Sequence, residues 1–239
     1  MILELDLGNS AGKWRVVRQN SVVVQGRFDY HELPAFFAQL PSGLQRVRAV
    51  SVLGNERQNV IVDALQNHLG VSVELAVVAA ECCGVINGYQ VFSRLGADRW
   101  LAIIAAWRQL GRACVVVDAG SAITIDCLDN SGKHLGGYII PGIGLMRAAL
   151  VAGTEKIRVD ADEYSLLPGL NTAQAVGHGG LLAAVAAVKM AADLLCRQLG
   201  VSPAILLTGG DAPLLLATFG EEVIHAPELV FEGLGLVLP

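Results

Sequence analysis

The sequence predicts an α/β chain built as two similar halves, each a mixed sheet flanked by helices. Three observations lead there. A strand–turn–strand pattern closing on an aspartate occurs twice, at Asp6 and at Asp118, roughly half of the 239-residue chain apart. The order strand, strand, strand, helix, strand, helix recurs after residue 112, and hairpins followed by alternating helix and strand give mixed sheets. A composition of 53% hydrophobic and 16% charged residues supplies core for two small domains or one large one.

The elements follow from apolar periodicity and turn chemistry. Residues 1–6, 13–17 and 21–28 read as successive strands, with a short helix at 31–39. A strand at 46–52 leads to a helix over 57–69 that stops at Gly70, and 73–78 is a further strand. A helix covers 99–110. The second half repeats the order, with strands at 113–118, 122–128 and 134–140 and a helix at 142–152. Residues 172–199 read as one long helix ending at Gly200. A strand at 204–208, a short helix at 213–219 and a strand at 223–225 complete the pattern. No low-complexity segment or flexible linker marks a boundary, so the repeat alone places two domains at 1–111 and 112–239.

Charge and cysteine usage narrow the function classes. A net charge of −5 and a pI near 5.5 argue against a nucleic-acid surface, which is usually basic. Five cysteines show no zinc spacing and no even disulfide set, so a reducing cytoplasm fits. Cys114 and Cys127 fall in apolar strands, as small core residues do. The chain opens directly on a strand, with no signal-peptide pattern. Mean hydropathy is high at +0.51. The most apolar run, 181–196, is broken by Lys189 and Asp193 and reads as a buried Ala-rich helix rather than a membrane span.

The repeated hairpin carries more chemistry than a turn needs. In ELDLGNSAGKW, residues 4–14, a strand ends on Asp6, where β propensity disfavours it. Gly8, Asn9 and Ser10 follow, and Lys13 opens the next strand. Gly and Asn alone would suffice for the turn. The stretch is either a solvated hairpin tip or a phosphate cradle, in which backbone N–H groups face an anion, Lys13 adds charge and Asp6 holds a cation through water. It is not a Walker loop. In ACVVVDAGSAITIDC, residues 113–127, the pattern returns with Asp118, Gly120 and Ser121, and the second copy favours the cradle.

These hairpins resemble the phosphate-binding hairpins of the actin, heat-shock chaperone and sugar-kinase superfamily, and TGGDA (208–212) resembles its adenosine-side turn. LGADRW (95–100) and GGYIIPG (136–142) are similar to motifs of type III pantothenate kinases. DLGNSAGK, NGY, GADR, DAGSA, GGYIIPG, NTAQAVGHG and TGGDA follow in the family's order over essentially the whole chain. Ser10 and Ser121 stand where threonine is common, and keep the hydroxyl. The resemblance implies two actin-like (ribonuclease H-like) domains with five-stranded mixed sheets. It also implies a homodimer, ATP with Mg2+ or a similar divalent ion, K+ or NH4+, and transfer of the γ-phosphoryl group to the 4′-hydroxyl of pantothenate. The partners expected are pantothenate and ATP, with no nucleic acid and no membrane.

The resemblance also assigns residues. Asp98 matches the catalytic base, because a carboxylate can accept the hydroxyl proton as the phosphoryl group arrives. Equally, an Asp there suits the first turn of the helix it opens. Arg99 matches the grip on the pantothenate carboxylate, against a solvated helix charge. Gly96, Ala97, Tyr89 and Thr172 match further substrate contacts. Tyr89 is otherwise a turn aromatic, and Thr172 competes with Asn171 for a helix cap. Asp6, Leu7, Gly8, Asn9, Ser10, Ala11, Gly12 and Lys13 fall in the ATP loop, with Ser121 in the second hairpin and Gly209 and Gly210 beside adenosine. Asp6 would hold the divalent ion through water. Asp118 matches the ligand of the monovalent cation, and no Lys or Arg lies in residues 114–130 to balance it. His178 reads as helix-start packing. Two alternatives stay open: a kinase for another small hydroxyl compound, and a non-catalytic regulatory accessory factor of the same fold.

Overall fold

The computed structural model describes residues 1–19, 21–155, 157–159, 163–220 and 223–239. It divides into two units, one of Met1–Cys83, Val91–Ala105 and Val230–Pro239, the other of Gly84–Gln90 and Ala106–Leu229.

The first unit is built on a five-stranded sheet. Strands β1 (Ile2–Leu7), β2 (Gly12–Arg18) and β3 (Ser21–Phe28) form an antiparallel meander, and α1 (Leu33–Phe37) follows. Strand β4 (Arg46–Ser51), helix α2 (Asn55–Leu69) and strand β5 (Val73–Leu75) add parallel strands on the other side of β1. The sheet order is β3-β2-β1-β4-β5. Alternation sets the faces. Leu3, Leu5 and Leu7 point into a core with Trp14, Val47, Ala49, Phe36, Ile61 and Leu65. Glu4 points the other way and is fully buried, yet paired: Arg48 donates Nε to its Oε1 at 2.8 Å, and Arg15 also donates to the carboxylate. A buried carboxylate is tolerable only with such partners.

Two-residue strands β6 (Glu81–Cys82) and β7 (Val85–Ile86) and a 3-10 turn at Phe92–Arg94 lead into α3 (Ala97–Leu110). The second unit then repeats the meander with β8 (Cys114–Ala119), β9 (Ala122–Leu128) and β10 (His134–Pro141). Helices α4 (Ile143–Gly153) and α5 (Thr172–Leu199) follow. Strand β11 (Ala204–Thr208) pairs parallel to β8, and β12 (Val223–His225) comes after the short α6 (Ala212–Leu216). The order β10-β9-β8-β11-β12 repeats that of the first sheet.

Several elements differ from the sequence reading. Helix α1 is shorter, because Pro34 fixes its start and Ala38 its end. Helix α2 starts two residues earlier, at Asn55. A last helix, α7 (Leu229–Val237), was not expected. Its Gly233 sits where a side chain would lie 2.1 Å from the carbonyl oxygen of Leu101. The glycine that weakens the helix signal is there to let two backbones touch. Helix α5 runs 28 residues, with an 18-residue window whose mean hydropathy reaches 1.7, so by length and composition it could cross a membrane. Its buried residues Val176, Gly180, Ala184, Val188, Ala191 and Leu195 recur at helical spacing, and most of them join Val115, Val117, Ile123 and Ile125 in the core.

Candidate functional site

The loop between β1 and β2 is held from three sides. Asp6 pairs in register with Lys13 and Leu7 with Gly12, leaving residues 8–11 as the turn. Lys13 Nζ lies 3.9 Å from Asp6 Oδ2, with Lys13 39% and Asp6 13% exposed. That separation is the outer edge of an ion pair, and a half-exposed pair contributes little to stability. Lys13 is the more accessible of the two charges. Gly12 is obligatory, since a Cβ there would lie 2.2 Å from the Phe28 ring.

Two residues that sequence reasoning missed shape this turn. Tyr30 donates its hydroxyl to the Gly8 carbonyl oxygen at 2.6 Å, and Arg57 donates Nη1 to that of Asn9 at 3.3 Å. The Arg57 guanidinium also lies 4.4 Å from the Tyr30 ring centre, a cation–π contact. Burial pushes the Tyr30 hydroxyl well above its ordinary value, Asp6 adds to this, and Arg57 opposes it. Tyr30 thus stays a neutral donor. The Gly8 and Asn9 carbonyl groups are thus held from outside the turn, which helps to set the loop backbone.

Asp98 and Arg99 open α3. Trp100 N–H donates to the Gly96 carbonyl oxygen at 2.9 Å, which places Gly96 as the cap and Asp98 in the first turn. The Asp98 carboxylate folds back. Its Oδ1 accepts the Arg99 backbone N–H at 2.7 Å and sits 2.7 Å from where a Cβ on Gly96 would be. The glycine of GADR is therefore the space the carboxylate occupies. Arg99 is only 6% exposed, which excludes the reading as a solvated helix charge. Both acids and carboxylate ligands are favoured at this end by the helix dipole.

The second hairpin shares its geometry with the TGGDA turn. Asp118 pairs with Thr124 on β9 and with Thr208 on β11. Gly209 has φ +95°, and a Cβ on it would lie 2.4 Å from both Asp118 Oδ1 and the Ala119 carbonyl oxygen. Only glycine fits, on both counts. Asp211 N–H donates to that same Ala119 oxygen at 2.9 Å. Gly142, last of GGYIIPG, would with any side chain strike the carbonyl oxygens of Gly120 at 2.2 Å and Ser121 at 2.6 Å. The structure thus packs three of the motifs around one turn: DAGSA, GGYIIPG and TGGDA. Ser121 is exposed there, as is Gly210.

Tyr89 and Thr172 lie elsewhere in the second unit. Asn87 Oδ1 accepts the Tyr89 backbone N–H at 3.0 Å, an Asx turn that sets the NGY segment. Asn171, not Thr172, caps α5, accepting the Gln174 N–H at 2.9 Å. Thr172 is exposed and helps line a cavity of about 610 Å3 with Met146, Leu150, Leu170 and Val176. His178 makes a 2.7 Å hydrogen bond through Nδ1 to the Leu167 carbonyl oxygen, tethering the chain before α5. Among the described residues no cluster of three or more His, Cys, Asp or Glu side chains is arranged to hold a metal. A divalent ion would fit Asp6 only as a hydrated ion, which keeps its waters and takes few protein ligands.

Comparison with known proteins finds relatives along the whole chain. A family model described as Type III pantothenate kinase matches residues 2–193. A Pseudomonas paraeruginosa protein named Type III pantothenate kinase is 41% identical, over all of this chain and 99% of its own. One of the same name from Chromohalobacter salexigens is 39% identical, over all of this chain and 88% of its own. Among solved structures, a Campylobacter jejuni protein named as a Baf family transcriptional activator superposes with TM-score 0.61 at 24% identity, covering 99% of this chain and 96% of its own. A Sinorhizobium meliloti protein named as a 2-dehydro-3-deoxygalactonokinase superposes with TM-score 0.56 at 13% identity, covering 98% and 97%. Both show the fold, an actin-like one of the sugar-kinase type.

Proposed function

The chain belongs to the type III pantothenate kinase family, and from that premise we propose which of its residues perform the family's reaction. The reaction is ATP-dependent phosphorylation of pantothenate to 4′-phosphopantothenate, in coenzyme A biosynthesis. Asp98 is the general base. As the substrate hydroxyl oxygen bonds to the γ-phosphorus, its proton passes to the Asp98 carboxylate, and the bond from phosphorus to the ADP oxygen breaks. The observation that carries this is the Asp98 carboxylate folded over Gly96 in the first turn of α3, inside the family motif.

Arg99 takes the pantothenate carboxylate, with Tyr89, Gly96, Ala97 and Thr172 as further contacts. The turn from Asp6 to Lys13 takes ATP phosphates, as does Ser121, and Gly209 and Gly210 lie beside adenosine. Asp6 holds Mg2+ or a similar divalent ion through water when one is bound, and that ion neutralises the developing phosphate charge. Asp118 is a ligand of K+ or NH4+. Matching strand orders support reading 1–111 and 112–239 as two copies of one unit.

The protein works as a homodimer in the cytoplasm. Exposed Leu145, Leu150, Val151, Leu182, Met190 and Leu194 on α4 and α5 support pairing with a second copy. Helix α5 is a core helix, since its periodic face lies within the unit's core. Sedimentation at assay concentration tests the dimer, and a fully active monomer would refute it. The acidic charge supports a role without nucleic acid. The Campylobacter name suggests the accessory-factor alternative, but the relatives near 40% identity over the full chain carry the kinase name. Profiling ADP release across pantothenate and other small hydroxyl compounds separates the readings. Pantothenate should give the highest kcat/KM, and a clear preference for another alcohol would overturn the assignment.

A further inference from the structure

A buried His–Asp pair outside the motifs carries the NGY segment. His134, first residue of β10, is fully buried, and its Nε2 lies 2.8 Å from Oδ1 of Asp126, itself 2% exposed. Nδ1 of His134 is buried with no hydrogen-bond partner. A carboxylate only accepts, so Nε2 of His134 donates to Asp126. A phenyl or aliphatic group would fill a purely apolar site without burying that carboxylate, so the pair asks for a reason.

Its role lies in what rests on it. The Tyr89 ring stacks on the His134 ring, with centres 5.8 Å apart and planes 18° from parallel. Gly88 approaches so closely that a Cβ would lie 1.8 Å from the His134 carbonyl oxygen. Ile86 N–H donates to the Gly132 carbonyl oxygen at 3.1 Å, and Ile86 bridges Lys133 in parallel. The NGY segment therefore lies along the start of β10, with its only ring on the imidazole face. Asp126, through one hydrogen bond, fixes the rotation of that imidazole.

We propose that His134, oriented by Asp126, is a positioning residue that sets the Tyr89 ring for pantothenate and so governs affinity for that substrate. This rests on the reading of Tyr89 as a pantothenate contact. The test separates ring from hydrogen bond. His134→Gln keeps an amide donor for Asp126 and loses the ring, whereas His134→Phe keeps a ring and loses the donor. An offset stack is worth about threefold to tenfold in affinity. KM for pantothenate should rise by about that factor in His134→Gln, while KM for ATP stays near that of the unaltered enzyme and the loss spares kcat. In His134→Phe, KM for pantothenate should stay near normal while Tm falls, because the buried Asp126 carboxylate loses the donor that His134 supplies. Tyr89→Ala, measured alongside, should raise KM for pantothenate at least as much. If Tyr89→Ala raises it and folded His134→Gln does not, the platform is refuted and the Tyr89 contact stands. If Tyr89→Ala leaves it unchanged, both fall. Equal rises in His134→Gln and His134→Phe would also refute the stacked ring as the cause.

Discussion

Asp98 meets two demands with one side chain. It begins a helix, where a carboxylate suits the dipole, and it turns its Oδ1 onto the Arg99 backbone N–H at 2.7 Å. That conformation needs the empty space on Gly96. Gly96→Ala should therefore leave the fold intact and move the carboxylate. A displacement on the order of 1 Å can cost up to about a hundredfold in rate, so kcat/KM should fall by tenfold or more with an unchanged circular-dichroism spectrum. Normal turnover in Gly96→Ala would mean that the carboxylate can work from another position. At this scale the sequence was legible where a motif is local. Asp98, Arg99, Asp118 and Gly209 were singled out because each sits in a short motif that can be recognised from the chain alone. Tyr30 and Arg57 were not, because they reach the turn after β1 from 22 and 48 residues away. Nothing in the residues around them announces a hydrogen bond to a distant carbonyl group. His134 and Asp126 escaped for a related reason, since one His in an apolar strand looks like ordinary core.

Elements were legible in proportion to their period. The hairpins declared themselves by alternation and by Gly-containing turns, and α5 by its caps, Asn171 and Gly200. Helix α7 was hidden because its glycines serve packing rather than helicity. The turn joining β9 and β10 illustrates a local device with a pH signature. Asp129 Oδ1 accepts from the Ser131 backbone N–H, the Ser131 hydroxyl and the Lys133 backbone N–H at 2.8, 2.7 and 3.0 Å. Burial pushes its carboxyl up, but the bonds from Ser131 and Lys133 outweigh this and leave it below the ordinary aspartate range. A depressed acid contributes stability above its unfolded pKa, and that contribution is lost as pH falls through the lower, folded value. The melting temperature of Asp129→Asn should therefore lie below that of the unaltered protein at pH 7. The gap should close only in acid, below about pH 4. A gap that persists unchanged into strong acid would show that charge is not what the turn uses.

At the scale of the whole molecule, two sheets of identical strand order each present an Asp at the end of their first strand. The repeat that predicted this was visible because both copies kept the same turn chemistry. The boundaries of the compact units were not, since Val230–Pro239 returns to the first unit from the far end of the chain. Equivalent aspartates need not have equivalent roles. Two carboxylates near ATP phosphates repel them unless each is neutralised. On the proposed reading, Asp6 takes a hydrated divalent ion and Asp118 a monovalent one. Activity should rise steeply when K+ or NH4+ replaces a bulky organic cation, and Asp118→Asn should flatten that response. Full activity without K+, NH4+ or another small monovalent cation would remove Asp118 from the cation site. Asp98 is the proposed base with which this chain phosphorylates pantothenate. Pantothenate-dependent ADP release by folded Asp98→Asn, at saturating ATP, tests it most directly. The rate should fall by roughly two to four decades with ATP binding retained, whereas a rate near that of the unaltered enzyme would reduce Asp98 to a helix-opening residue.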